Sequence, residues 1–164
     1  MLRRASGDDI RNLIETIRKK VPGIAIRSTF IVGYPGETDA EFNELMQFIN
    51  EYKLDRIGAF TFSREEDTPS FALEDNVSAN VKQKRLNKLM SSQTKISLER
   101  NKSLIGKELK VLIDSSDKNN FYGRTEFDAP EVDNSVIIRK DPKYSIGQFV
   151  TIKIKDASEF DIYG

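Results

Sequence analysis

Ile24-Ala-Ile-Arg-Ser-Thr-Phe-Ile-Val32, followed directly by Gly33-Tyr-Pro-Gly-Glu-Thr38, carries the strongest structural signal in the chain. The first nine residues are rich in β-branched and aromatic side chains, the composition of a strand. Alternation puts Ile24, Ile26, Ser28, Phe30 and Val32 on one face and Ala25, Arg27, Thr29 and Ile31 on the other. The first face suits contact with helices. The second carries a row of polar groups, and two readings of Arg27 stay open. Its guanidinium can hold a ligand carboxylate through two parallel hydrogen bonds, or it can pair with a structural Asp or Glu. The two glycines and the proline that follow make a tight strand-to-helix turn. A helix N-terminus there would favour an anion. However, no Gly-Lys-Ser/Thr follows, and Glu37 would repel a phosphate, so a turn that merely connects and caps is the simpler reading.

Upstream of this stretch, Ser6 and Asp9 have capping-box spacing, and Ile10, Leu13, Ile14, Ile17 and Val21 recur at helical intervals until Pro22-Gly23. Downstream, Thr38 and Glu41 form a second capping box ahead of Phe42, Leu45, Met46 and Ile49, and Arg56 to Ser63 reads as another strand. Helix–strand–helix–strand order predicts parallel strands joined by crossover helices. A polar loop, Arg64 to Asn76, leads into a long helix from about Ser78 to Leu104. Val81, Leu86, Leu89, Met90 and Ile96 give it a partial apolar stripe, as expected of a surface or domain-bridging helix. After Gly106 the runs shorten: Leu109–Ile113, Phe121–Thr125, Val136–Arg139, Phe149–Ile154 and Phe160–Tyr163. Five short strands separated by turn residues predict a small antiparallel, OB-like barrel. Three segments follow, 1–76, 77–104 and 105–164.

The 164 residues contain no Cys and no His, so disulfides, Cys/His zinc sites, His- or Cys-based triads and thiolate-held iron–sulfur clusters cannot be built from this chain. No run approaches the roughly 18 apolar residues of a membrane span, and no apolar segment follows Met1-Leu-Arg-Arg, so a cytoplasmic protein without membrane contact is expected. Basic and acidic residues both number 26; residues 1–103 hold 17 and 15, and residues 104–164 hold 9 and 11. The C-terminal part therefore lacks the basic excess usual for nucleic-acid binding. Gly123-Arg-Thr-Glu-Phe-Asp-Ala-Pro-Glu-Val-Asp133 brings four carboxylates into one loop, which either docks a basic partner or is solvated surface.

Several of these motifs resemble a known family. Ile31-Val-Gly-Tyr-Pro-Gly-Glu-Thr38 is similar to the fifth-strand signature of radical-SAM methylthiotransferases. Phe60-Thr-Phe-Ser-Arg-Glu-Glu-Asp-Thr-Pro69 resembles their sixth-strand segment, with Phe62 and Asp67 where Tyr and Gly are usual. Met1-Leu-Arg-Arg4 resembles an internal Met-x-Arg just before the fifth unit. The 123–133 loop and the ending Phe160-Asp-Ile-Tyr-Gly164 look like the TRAM module of the RimO branch. The resemblance implies an α/β fold, the C-terminal part of a partial TIM-like barrel (strands five and six), followed by an all-β TRAM barrel. It implies a parent enzyme that adds a methylthio group to an aspartate of small-subunit ribosomal protein S-twelve, using S-adenosylmethionine and two [4Fe–4S] clusters. The cluster cysteines lie upstream in the family, so this chain alone is expected to be inactive and to bind neither cofactor. Carried over by position, Arg27 and Thr29 would face S-adenosylmethionine and Phe60 its adenine. Arg124, Asp128, Glu131 and Asp133 would dock the protein substrate, and no residue would hold a metal. RNA contact through the TRAM module remains open. Two alternatives are a transfer-RNA methylthiotransferase of the MiaB branch, against which the acidic balance counts, and a non-enzymatic binding module, which would have no need of the cofactor strands.

Overall fold

A computed structural model describes residues 6–130 and 132–164. The Met1-Leu-Arg-Arg4 resemblance and Glu131 lie outside the described residues. Helix α1 (Gly7–Lys20) starts where the Ser6 hydroxyl accepts from the Asp9 amide and the Asp9 carboxylate accepts from the Ser6 amide. Of its apolar stripe only Ile14 is buried, while Ile10 and Leu13 are exposed. Strand β1 (Arg27–Val32) begins three residues later than the sequence suggests. The chain is still turning at Ile24, whose amide bonds Val21, and the Ile26 amide donates to the Asp55 carboxylate at 2.5 Å instead of to a neighbouring strand.

Helix α2 (Asp39–Tyr52) opens on the Thr38/Glu41 capping box and crosses back to β2 (Arg56–Thr61). The strands pair in parallel, with Arg27 opposite Arg56, Thr29 opposite Gly58 and Ile31 opposite Phe60. The face carrying Phe30 and Val32 packs on Phe42, Phe48, Ile49, Leu54 and Leu89, as the alternation requires. Gly33, at φ +73°, must be glycine twice over: the left-handed backbone disfavours a side chain, and a Cβ would run into Lys82 Cγ.

Helix α3 (Ala79–Lys102) departs from its expected apolar stripe. Val81 and Met90 face outward, and the buried face is largely polar: Lys82, Arg85, Gln93, Ser97 and Asn101 around Leu89 and Ile96. These side chains are hydrogen-bonded along the whole helix. Lys82 donates to the Phe62 carbonyl and Asp75, and Arg85 donates to Glu37 and Asp39. Gln93 reaches the Leu54 carbonyl, while Ser97 and Asn101 donate to the carbonyls of Glu159 and Ser158. Burying these residues is tolerable because each side chain makes at least one hydrogen bond, although Arg85 Nε and Gln93 Oε1 have no partner among the described residues. The helix thereby joins the two halves through directed bonds.

The C-terminal part is one curled six-stranded sheet built from β3 (Glu108–Ser116), β4 (Asn120–Arg124), β5 (Val136–Arg139), β6 (Phe149–Lys153), β7 (Asp156–Ala157) and β8 (Ile162–Tyr163), in the order β6-β3-β4-β5-β8-β7. Inward residues alternate along each long strand and fill the interior with Val111, Ile113, Phe121, Val136, Ile138, Val150, Ile152 and Ile162. The sheet is not purely antiparallel. β8 runs parallel to β5, because the chain reverses through the short β7–β8 hairpin before meeting β5. Among the described residues no helix is long and apolar enough to cross a membrane.

Candidate functional site

The face of the two-stranded sheet opposite Phe30 and Val32 presents Arg27, Thr29 and Ile31 beside Arg56, Gly58 and Phe60. The two arginines, first residues of their strands, stand side by side. Two like charges so placed need anions, and the 123–133 loop supplies them. Arg27 Nη1 and Nη2 donate to Asp133 Oδ2 and Oδ1, both at 2.6 Å. Arg56 Nη2 donates to Asp128 Oδ1 at 2.6 Å, with its Nε 3.7 Å from Asp133. The carboxylates are held in turn by their own loop: Asp128 accepts from the Thr125 hydroxyl and Asp133 from the Ala129 amide. Their side chains are 7% and 3% exposed, against 15% for Arg56 and 41% for Arg27.

In this chain Arg27 and Arg56 are both paired with aspartates of the 123–133 loop. Arg27 pairs with a structural aspartate, and both its terminal nitrogens are committed. Asp128 and Asp133 point inward onto arginines and are not offered to an outside basic surface. Arg124 bonds Asp114 across the β3–β4 pair at 2.6 Å. The acidic excess of residues 104–164 is thus partly consumed within the molecule.

Beneath the loop lies a cavity of about 790 Å³ between β1, β2, α3 and the 158–161 turn. Thr29 and Phe60 line it, as do Gln93, Asn134, Val132 and Phe160. Phe60, Val132 and Phe160 are well exposed. Arg56, Gln93 and Asn134 carry no hint in local motifs. Arg56 was nonetheless inferable, since it begins its strand as Arg27 begins the neighbouring one and a parallel pair sets them abreast. Behind this cavity Arg100 meets Asp55, and burial pushes its guanidinium below its ordinary value against the opposing pull of Asp128.

At the other end of the strands, the Gly33–Thr38 turn holds an internal anion. Glu37 accepts from the Gly33 amide at 3.0 Å and from Arg85 at 2.8 Å, so the turn connects and caps. On the far side of the barrel, Arg139, Lys140, Lys143, Lys153 and Lys155 surround a shallow hollow with Asp141. Asp141 is paired with Lys143 and is held below its ordinary value by the Lys143 amide and side chain. Nearby, Asp117 is lowered chiefly by the Tyr122 hydroxyl that donates to it, and Tyr122 is raised for the same reason.

The residues present do not fit an iron–sulfur cluster: the sequence offers no thiolate or imidazole, and no three acidic side chains gather among the described residues. For S-adenosylmethionine the fit is partial. Thr29 and Phe60 offer a hydroxyl and a ring to the cavity, but the Arg27 guanidinium that would hold its carboxylate is taken by Asp133.

Residues 105–164 match the TRAM domain family. Nearly the whole chain is similar to curated proteins named ribosomal protein uS12 methylthiotransferase RimO. It is 50% identical to that of Cytophaga hutchinsonii over 93% of the chain and 35% of the relative. Identity is 46% to the Phocaeicola vulgatus protein, over 99% of the chain and 38% of the relative. It is 44% to that of Clostridioides difficile, over 100% of the chain and 37% of the relative. The chain therefore spans a little over a third of the length of these relatives.

Proposed function

We propose that the chain, similar over nearly its whole length to RimO-type methylthiotransferases, forms the C-terminal portion of an enzyme that methylthiolates ribosomal protein uS12. In this reading residues 1–76 supply the last two strands of a catalytic barrel, 77–104 bridge, and 105–164 form the TRAM module. The clusters and the radical chemistry of S-adenosylmethionine belong to sequence beyond this chain. This chain's own task is placement. The observation that carries the reading is the 44–50% identity over nearly the whole chain to proteins of that name, and the double Arg–Asp clasp adds that the module is paired to the two strands. Thr29 and Phe60 remain the chain's candidates for the wall of the cofactor cavity, and Arg27 becomes a positioning residue.

The test is mass spectrometry of uS12 and of transfer RNA from cells lacking the parent gene, complemented with wild type or with Arg27→Ala/Arg56→Ala. The expected result is a methylthio increment on a uS12 aspartate with wild type and a reduced increment with the variant. An increment on transfer RNA, with uS12 unmodified, refutes the substrate assignment.

A secondary RNA contact is favoured by the basic hollow, since Arg139, Lys153 and Lys155 have no ion-pair partner among the described residues. Replacing these three by alanine should lower the log–log salt slope of single-stranded RNA binding by about 2, at roughly 0.7 per phosphate contact. An unchanged slope removes RNA from the account.

A further inference from the structure

The C-terminal sheet closes on itself at one end only. The chain passes from β6 into β7, and β8 returns antiparallel beside β7 while running parallel to β5. β8 thus fills a slot one strand wide. On one side Ile162 and Gly164 donate to the Ser135 and Ile137 carbonyls, and on the other Lys155 donates to the Tyr163 carbonyl. Past Gly164 the slot continues as the basic hollow of about 300 Å³, floored by the buried Ile138 and Ile152. Both of its walls are open sheet edges. The Ile113–Gln148 and Ile154–Lys107 bonds set the alternation of the β3–β6 ladder. Val150 and Ile152 therefore bond β3, while Thr151 and Lys153 aim their N–H and C=O into the slot. By the same alternation the Lys140–Asn119 bond turns Ile138 toward β4 and Arg139 toward the slot. Main-chain groups left along an edge are a template for another strand.

We propose that this slot takes an extended acidic peptide, added as one more strand between β5 and β6. Tyr163 lies beside Ile137 on one side and Lys155 on the other. Carried two residues further, the same registers set the next outward position of a strand between Arg139 and Lys153, both exposed. Neither has an ion-pair partner among the described residues, and Asp141, the one carboxylate side chain lining the hollow, is paired with Lys143. A carboxylate at that outward position would meet two unpaired cations, which selects Asp or Glu. Inward positions approach the floor closely, since a Cβ at Gly164 would collide with Ile152, and this selects small residues. The ligand therefore alternates acidic and small residues, the period of a strand, and is held by main-chain bonds and charge, as in edge-strand addition. RNA, considered above for the same hollow, would also meet the cations. Its phosphates bring only acceptors, however, and would set oxygens against the carbonyls of Arg139, Thr151 and Lys153. The open edges favour a peptide. The site is independent of which macromolecule the parent enzyme modifies.

The experiment uses the 164-residue chain and three fluorescently labelled probes: a blocked peptide alternating aspartate and alanine, the same peptide with every second amide N-methylated, and a single-stranded oligouridylate of equal charge. Fluorescence anisotropy gives the affinities, and amide NMR shifts locate the site. N-methylation keeps the charge but removes the main-chain donors facing one wall of the slot. The expected result is binding of the plain peptide with shifts at the Arg139, Thr151 and Lys153 amides, and binding of the methylated peptide that is about tenfold weaker or more. Arg139→Gln and Lys153→Gln, at exposed positions, should each weaken the plain peptide by about two- to fivefold, the range of an exposed ion pair, and by less at high salt. Equal affinity of the two peptides would overturn the proposal, since charge alone would then hold the ligand. Oligouridylate binding tighter than the peptide, with shifts at the same amides, would overturn it in favour of RNA. No peptide binding, or shifts confined to other residues, would overturn it outright.

Discussion

Replacing Arg27 by alanine should destabilise the protein more than replacing its partner Asp133 by asparagine, although both changes break the same ion pair. The asymmetry follows from burial. Asp133 is 3% exposed and accepts from both Arg27 nitrogens and from the Ala129 amide. Without Arg27 its carboxylate stays buried with the Ala129 amide and the Arg56 Nε, 3.7 Å away. Stranding one member of a buried pair costs about 3–5 kcal/mol, and the two surviving contacts place Arg27→Ala near the low end, at about 3 kcal/mol. In Asp133→Asn the amide oxygen can keep the place of Oδ2, which serves both Arg27 Nη1 and the Ala129 amide. Arg27, 41% exposed, turns its other nitrogen to water, and the loss is close to that of a surface pair, about 1 kcal/mol. For a chain of this length each kcal/mol moves the midpoint by roughly 2–4 °C. Thermal melts should therefore fall by about 6–12 °C for Arg27→Ala and about 2–4 °C for Asp133→Asn, with urea titrations giving the same order. Equal losses, or a loss below about 0.5 kcal/mol for Arg27→Ala as at an ordinary surface site, would mean that the clasp does not hold the halves together.

Other perturbations follow from the same geometry. Gly123→Ala puts a Cβ 2.5 Å from the Leu112 carbonyl and 2.6 Å from Val111 Cγ1, so the β3–β4 pairing should weaken by about 1–3 kcal/mol, as overpacking does, measured by urea denaturation. Thr38→Ala removes the hydroxyl that caps α2 and should cost about 1 kcal/mol, which a melt at neutral pH will read. Asp117 titrates below its ordinary value mainly through the Tyr122 hydroxyl, then through the Asn120 and Asn119 amides. Its folded value is depressed, so its contribution is present above the unfolded value and lost as pH falls through the folded one. Tyr122→Phe should raise the pH at which Asp117 protonates, read by carboxyl-carbon NMR, and an unmoved titration would contradict the assignment.

Strand faces, capping boxes and the change of texture after Gly106 were legible because each depends on residues close in sequence. The alternation in Ile24–Val32 correctly put Phe30 and Val32 in the core and Arg27 and Thr29 opposite. What could not be read was pairing across distance. Asp133 lies 106 residues from Arg27 and Asp128 lies 72 from Arg56, and no periodicity links them. A count of acidic residues therefore suggested an outward docking loop where the fold makes an inward clasp. The partners of α3's polar face were illegible for the same reason: Gln93, Ser97 and Asn101 meet the carbonyls of Leu54, Glu159 and Ser158 only in the fold. The Phe60–Gln93–Asn134 cavity draws on three segments and left no local trace.

Two arginines hold the module on the strand face, and the absence of cysteine permits a direct measurement. Spin labels at Gln47→Cys on α2 and Lys118→Cys in the β3–β4 turn, both exposed positions, report the distance between the halves by pulsed electron paramagnetic resonance. One narrow distance distribution is expected in the otherwise unaltered chain, and a broad one once Arg27→Ala and Arg56→Ala are introduced. A broad distribution at the outset, or a narrow one that survives loss of both arginines, would contradict it.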